Sequence, residues 1–222
     1  MKASAPVINE SAFTRLRVLE LRENPVIGKL DAAYLKEINR RILQDMPMYN
    51  GGQLRLSMGE HVRSRSVQNG QDSYVVHYKH GGITDDAIND AIKKVGSVEQ
   101  LKKLPKKEFC EQLASLYGDL DHIHAFNEAN SRTLRLFTEL IANAAGFSMD
   151  WTELDTISLK HNFSVRDTLY MARDLEVSKR SFPRLTIDKM RDASPSEFEA
   201  YETQKKLNNI LSMANLIQAI VD

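Results

Sequence analysis

His124-Ala125-Phe126-Asn127-Glu128-Ala129-Asn130-Ser131-Arg132-Thr133-Leu134-Arg135 gathers an imidazole, a carboxylate, two amides and two guanidinium groups within twelve residues. Packing alone gives a globular helix no reason to concentrate so many polar groups. Leu136, Phe137, Leu140, Ile141 and Ala144 follow at helical spacing and the pattern stops at Gly146, so the polar cluster falls on the turn entering a buried helix. Such a turn suits phosphate, because unpaired backbone N–H groups and the positive end of the helix dipole face outward there.

On either side of this segment the chain reads as helices. Ser11 is a candidate cap for a first helix whose apolar face would be Phe13, Leu16, Leu19 and Leu21, ended by Pro25. A second is expected from Asp31 to Asp45 with Leu35, Ile38, Ile42 and Leu43 inside. Thr84 or Asp85 opens another, with Ile88, Ile92 and Val95 inward; Pro105 opens the helix that leads into the polar segment, with Phe109, Leu113, Leu116, Tyr117 and Leu120 buried. Weaker helical patterns cover Asp155–His161 and Val165–Leu175, and a last helix is expected from Glu197 to Val221.

Between Gln53 and Gly82 the period changes. Asn69-Gly70 is a turn signal and Ser73-Tyr74-Val75-Val76-His77-Tyr78 is a β-favouring run, so a small hairpin is expected at about 62–80. His77 and His80 have no further metal-ligating residues nearby in sequence and read as a strand end facing solvent.

Composition sets outer limits. Thirty basic and thirty acidic side chains cancel in 222 residues, which argues against a surface built to coat nucleic acid. The single cysteine, Cys110, excludes an internal disulfide and a cysteine-rich zinc site, and its helical neighbours make it a core thiol. No segment approaches the ~20 apolar residues that span a bilayer, and the N-terminus carries no secretory pattern. A cytoplasmic site of synthesis is expected; delivery into another cell by a dedicated secretion machine would leave no such mark.

The pattern His-x-Phe-x-Glu-x-Asn-x-Arg-x-x-Arg resembles the core signature of the Fic (Fic/Doc) proteins, of which the best-known members transfer AMP from ATP to a hydroxyl side chain of a target protein. Asn24–Asn39 is similar to the family's first core helix and Ala145–Trp151 to the segment after the motif helix. The resemblance implies a mainly α fold, a helical bundle with a hairpin flap. It implies a core domain over 24–175, preceded by a helical segment at 1–23 and followed by a helical extension at 176–222. It implies a protein adenylyltransferase with ATP as substrate and Mg²⁺ as cofactor, acting on a protein that bears Ser, Thr or Tyr, with no membrane or direct nucleic-acid partner.

Within that resemblance His124 is the base that takes the hydroxyl proton, and Glu128 is the hard oxygen ligand for Mg²⁺. Ala129, Asn130, Ser131, Arg132 and Arg135 line the nucleotide, the two guanidinium groups gripping phosphate oxygens. Phe126 anchors the loop in the core, and Ser73, Tyr74, Val75, Val76 and His77 of the flap hold the target by strand addition. Read without the resemblance, Glu128 is a helix-start acid, Asn130 a cap, Arg132 and Arg135 a solvated basic face, and the hairpin a decoration without a ligand.

The chain departs from the commonest family form at three places. Ala125 stands for Pro, and Ala129 and Ser131 for two glycines, whose replacement crowds a site where backbone approaches phosphate. Ala129 also occurs in the Doc branch, which phosphorylates its target; Ser131 is the residue of neither branch, although its hydroxyl offers a phosphate contact. Three readings follow: AMP transfer, favoured by Arg135; a Doc-like kinase or transferase of another phosphate-containing group; and a Fic-fold binding module without chemistry. The inhibitory motif of many members, Ser or Thr, three spacers, then Glu before Gly or Asn, is missing, because Leu19 lies four residues before Glu23-Asn24. A small antitoxin supplying that helix, an unrestrained effector, or a degenerate pairing of Glu23 with Arg135 are the alternatives.

Overall fold

A computed structural model of the chain describes residues 9–56, 59–67, 70–156 and 163–222. It is mainly helical with one two-stranded antiparallel hairpin. Helix α5 (Lys106–Ile123) runs through the centre, its Phe109, Leu113, Leu116, Tyr117 and Leu120 all buried as the periodicity predicts. Helices α3 (Asp85–Lys94) and α6 (Asn130–Ala144) pack against it, α2 (Ala32–Ile42) packs on α6 and α3, and the short α4 (Val98–Leu101) links α3 to α5. Asp31 caps α2 by accepting from the Tyr34 backbone N–H, and Leu35, Ile38, Ile42 and Leu43 are buried behind it. Cys110 is a buried thiol.

Helix α1 (Glu10–Glu23) differs from expectation in cap and in rotation. Asn9, not Ser11, accepts from the Ala12 N–H. Phe13, Leu16 and Leu19 are exposed, and the buried positions are Thr14 and Leu21 with Val18 packed between them. Polar ties set this rotation. Arg17 bonds both carboxylate oxygens of Asp45 at 2.7 and 2.8 Å, Arg22 reaches Glu139 and Asp150 at 2.7 and 2.9 Å, and the Thr14 hydroxyl accepts from Arg132 at 2.6 Å.

Strands β1 (His61–Val67) and β2 (Asp72–Tyr78) form the expected hairpin, in a register that pairs His61 with Tyr78 and Val67 with Asp72. The Asn69 turn signal lies outside the described residues. The hairpin is seated on its own small core, where Val67, Tyr74, Val76 and Tyr78 meet Met171, Leu175, Val177 and Leu207. Those partners come from α7 (Val165–Ser181) and α8 (Pro195–Leu207).

Of the expected helix Asp155–His161 only Asp155 and Thr156 are described, as the end of a 3₁₀ segment over Trp151–Thr156; 157–161 lie outside the described residues. The single last helix is two helices. A capping box of Ser194 and Glu197 opens α8, and Ser212 caps α9 (Met213–Ala219) by accepting from the Asn215 N–H. The break lets α9 turn back on α5, burying Leu216 and Ile217 completely. Backbone bonds exchanged between Ser148 and Asp222 fasten the end of the chain to the core.

Loop 124–129 joins α5 to α6 with non-glycine residues in the left-handed region at both ends, His124 at φ 48° and Ala129 at φ 61°. Ala129 thus takes the conformation that glycine adopts without strain. Ala129→Gly is expected to leave thermal stability unchanged or raise it by up to about 1 kcal/mol, strain relief slightly outweighing the added chain entropy. The rotation of α1 is checked by paired substitutions in urea unfolding: Leu21→Ala costs about 2–5 kcal/mol and Leu19→Ala less than about 0.5 kcal/mol.

Candidate active site

His124, Ala125, Phe126 and Ala129 of the motif loop are buried, so carbonyls there need donors from elsewhere in the chain. Arg55, itself buried, supplies most of them. Its backbone N–H donates to the Ala125 carbonyl at 2.9 Å, and its guanidinium donates to the carbonyls of His124 at 2.6 Å and Ile123 at 3.3 Å. Asn39 of α2 donates from Nδ2 to the Glu128 carbonyl and to Thr133 Oγ1, both at 3.0 Å, while its Oδ1 accepts from the Gly52 N–H at 2.8 Å. Phe126 is buried as the anchor expected of it and forms an antiparallel bridge with Leu54.

Asn130 closes the loop from within. Its Oδ1 accepts from the Phe126 N–H at 3.0 Å and its Nδ2 donates to the Phe126 carbonyl at 2.6 Å. Both ends of the amide are engaged within the loop, and Nδ2 carries a second N–H beyond the one given to Phe126. The Ser131 hydroxyl accepts from Arg173 of α7 at 3.2 Å.

His124 ends α5 and is nine-tenths buried. Its ring lies against Tyr78 of β2, with centroids 4.2 Å apart, and against His61 of β1, 4.9 Å apart. Nδ1 is turned inward, 3.9 Å from Asp121 Oδ1 and without a hydrogen-bond partner, which leaves Nε2 as the nitrogen for a substrate. Burial, reinforced by His61, Arg173, Arg63 and Arg55, pushes the pKa of His124 well below the usual imidazole range. Burial and the same Arg55 and Arg63 bring His61 down to about 4. Both rings are therefore neutral at pH 7.

At the far end of the loop Asn127 and Glu128 are exposed. Arg132 and Arg135 are half-buried on the first turns of α6. Arg132 is held by Thr14 of α1, and the Nε of Arg135 is buried without a partner. Tyr49, whose hydroxyl donates to Glu10, lies in the field of both Glu128 and Arg132. Helix α1 therefore meets the motif through Thr14, and it is Arg22 that pairs beside Glu23, with Glu139 and Asp150. The degenerate pairing of Glu23 with Arg135 does not form.

The flap expectation needs one correction. The outward carbonyls of Ser73, Val75 and His77 accept from Lys206, Thr203 and Ser181, so the outer edge of β2 is already occupied by α7 and α8. His77 itself is bonded to Glu199 and stacked edge-on with Phe182. Antiparallel pairing alternates, and the residues opposite those three, Ser66, Ser64 and Val62, turn their backbone N–H and C=O groups to the other edge. That edge, on β1, is exposed, and its strand begins at His61, against His124.

Sequence reasoning missed Arg55, His61, Asp121 and Arg173. Asp121 and His61 each stand at plausible offsets from the motif or flap, yet a lone acid or imidazole carries no signal of what it will face. Arg55 and Arg173 look like ordinary surface arginines until burial is known.

A model of the Fic/DOC family matches residues 29–142, just over half of the chain. The protein adenylyltransferase VbhT of Bartonella schoenbuchensis is 27% identical over 147 residues, 66% of this chain and 28% of that protein. The probable protein adenylyltransferase Fic of Escherichia coli K12 is 24% identical over 143 residues, 64% of each. The chain thus spans little more than a quarter of the Bartonella relative and under two thirds of the other. Among solved structures, BepC of Bartonella tribocorum, a VirB-translocated effector with bound AMPPNP, has a TM-score of 0.56 at 19% identity, covering 96% of this chain and 84% of that one. An ADP-bound Fic domain from Bartonella quintana gives the same TM-score at 21% identity, covering 96% and 83%. Together with the motif loop, its two bracketing helices and the hairpin beside them, the family match establishes that this chain belongs to the Fic/DOC family.

Proposed function

We propose that this protein transfers AMP from ATP to a hydroxyl side chain of a protein target. The observation that carries the reading is His124, neutral, with Nδ1 inward, at the head of a fixed loop that ends on an arginine-bearing helix N-terminus. The relatives named as protein adenylyltransferases support it.

In this reading the target hydroxyl oxygen attacks the α-phosphorus of ATP, the bond to the β-phosphate bridge breaks, and pyrophosphate leaves. The hydroxyl proton passes to Nε2 of His124, whose depressed pKa keeps the lone pair available at neutral pH. The first-turn N–H groups of α6 and the guanidinium of Arg135, whose Nε is without a partner, hold phosphate oxygens, and Arg132 joins them on leaving Thr14. The exposed carboxylate of Glu128 suits Mg²⁺, which needs only one or two protein carboxylates when the triphosphate supplies the rest. When bound, that ion neutralises phosphate charge.

The target enters along β1, not β2. An extended segment added to the free backbone groups of Val62, Ser64 and Ser66 runs along the strand that starts at His61, so the rail and the base share one end.

ATP labelled at the α-phosphate, run beside ATP labelled at the γ-phosphate in Mg²⁺ and lysate, tests the reaction. Histidine-dependent α-label on protein is the expected result; γ-label alone would move the protein to the kinase branch. His124→Ala is expected to lower transfer by about 10²–10⁴-fold while ATP affinity by calorimetry changes less than about twofold. A parallel loss of ATP binding would argue against a base.

The pH profile of transfer follows from the direction of the His124 shift. The base stays deprotonated below the usual imidazole pKa, so the acid limb of the rate is expected well under pH 6.5. Stability runs the same way: the unfolded state takes up protons at His61 and His124 first. The stability of their neutral buried forms is present above about pH 6.5 and lost as pH falls toward the depressed values. Urea midpoints measured between pH 7 and 4 are expected to fall.

A further inference from the structure

We propose that Asp121, Arg173 and Ser131 form a positioning unit that fixes the tautomer and orientation of His124. Helix α7, which lies outside the region matched to the family, thereby becomes part of the site. The inference rests on the reading of His124 as the base.

Asp121 sits three residues before His124 on the last turn of α5 and is fully buried. Arg173 grips it with two N–H bonds, Nη2 to Oδ1 at 2.8 Å and Nε to Oδ2 at 3.1 Å. A third, from Nη1, goes to Ser131 Oγ at 3.2 Å. The guanidinium plane is held between the rings of Tyr117 and Tyr170, 5.7 and 5.3 Å from their centroids. Stability does not explain such a pair, since apolar residues of the same volume often serve as well.

The arrangement does explain the ring. Oδ1, the oxygen that receives Nη2, is also the one 3.9 Å from the orphaned Nδ1 of His124. A carboxylate on that side favours the tautomer with its proton on Nδ1 and leaves the Nε2 lone pair for the substrate. At 3.9 Å no hydrogen bond exists yet; a small rotation of the imidazole closes it, as catalytic contacts commonly tighten when substrate binds. The Arg173 fork fixes the carboxyl plane of Asp121, so that Oδ1 stays turned toward the ring. The remaining groups against His124 are His61 and Arg63 from β1, Tyr78 from β2 and Arg55, none of which is an anion at neutral pH. Ser131 gives this unit a foot on the first turn of α6. The residue that departs from the family's usual glycine thus ties the phosphate end of the motif to the base, 42 residues from its arginine partner in sequence.

The experiment reads the tautomer directly. Ring ¹⁵N shifts in ¹⁵N-histidine-labelled protein, with His124 assigned by its loss in His124→Ala, are compared for wild type, Asp121→Asn and Arg173→Lys. Wild type is expected as the Nδ1–H form and Asp121→Asn as mainly Nε2–H, with Arg173→Lys, which keeps the charge but drops the fork, moving the same way by less. Where Asp121→Asn does not fold, Arg173→Lys decides. In transfer assays the maximal rate is expected to fall at least about tenfold for Asp121→Asn with KM for ATP within about twofold. Folded variants that keep the wild-type His124 shifts overturn the unit even where His124-dependent transfer is intact. Conversely, shifts that move in a chain showing no transfer uphold the unit and sink the adenylyltransferase reading instead.

Discussion

The constraint on which the site depends is that a buried loop must find a donor for every carbonyl it hides. Arg55, Asn39 and Asn130 satisfy the carbonyls of Ile123, His124, Ala125, Phe126 and Glu128. A loop so fastened cannot drift, and the imidazole at its head inherits that rigidity. The cost is two non-glycine residues in left-handed conformations, the kind of local strain that persists where surrounding contacts over-determine the backbone.

The donors also set the chemistry. Arg55, Arg63 and Arg173 surround His124 with positive charge in a dry environment, so the imidazole stays neutral and basic at a pH where an exposed histidine would be partly protonated. Most polar atoms in the loop are paired, whereas Nδ1 of His124, Nε2 of His61 and Nε of Arg135 are buried and unpaired. Buried orphans are rare in folded proteins, and the one on His124 faces the buried Asp121 carboxyl.

The helical layer outside the family match has a comparable effect on the hairpin. By bonding the outer carbonyls of β2, α7 and α8 remove one of the two edges a target strand could use. The edge left open is the one whose first residue, His61, lies against His124. The same layer delivers Arg173 to Asp121, so a segment that looks like an extension shapes both the hairpin edges and the surroundings of His124.

Local information was enough for much of this. The i, i+3, i+4 spacing of α2 and α5 named their buried faces, the β-favouring run named the hairpin, and the motif named the loop and its helix, because those features depend on neighbours within a turn or two. Composition misled in α1, where Phe13, Leu16 and Leu19 look like a core stripe but ion pairs of Arg17 and Arg22 rotate them outward, and at the C-terminus, where a continuous apolar pattern hides the break at Ser212. The roles of Asn130 and Ser131 were not legible, since an amide or hydroxyl bonds whatever donor or acceptor the fold brings near. The sequence by itself therefore determined the family, the buried faces of α2 and α5, the hairpin and the position of the motif loop. Only the tertiary structure decided which strand edge is free, which arginines are buried and what stands behind the imidazole, because those depend on contacts between residues 40 to 130 positions apart, where pattern carries no information.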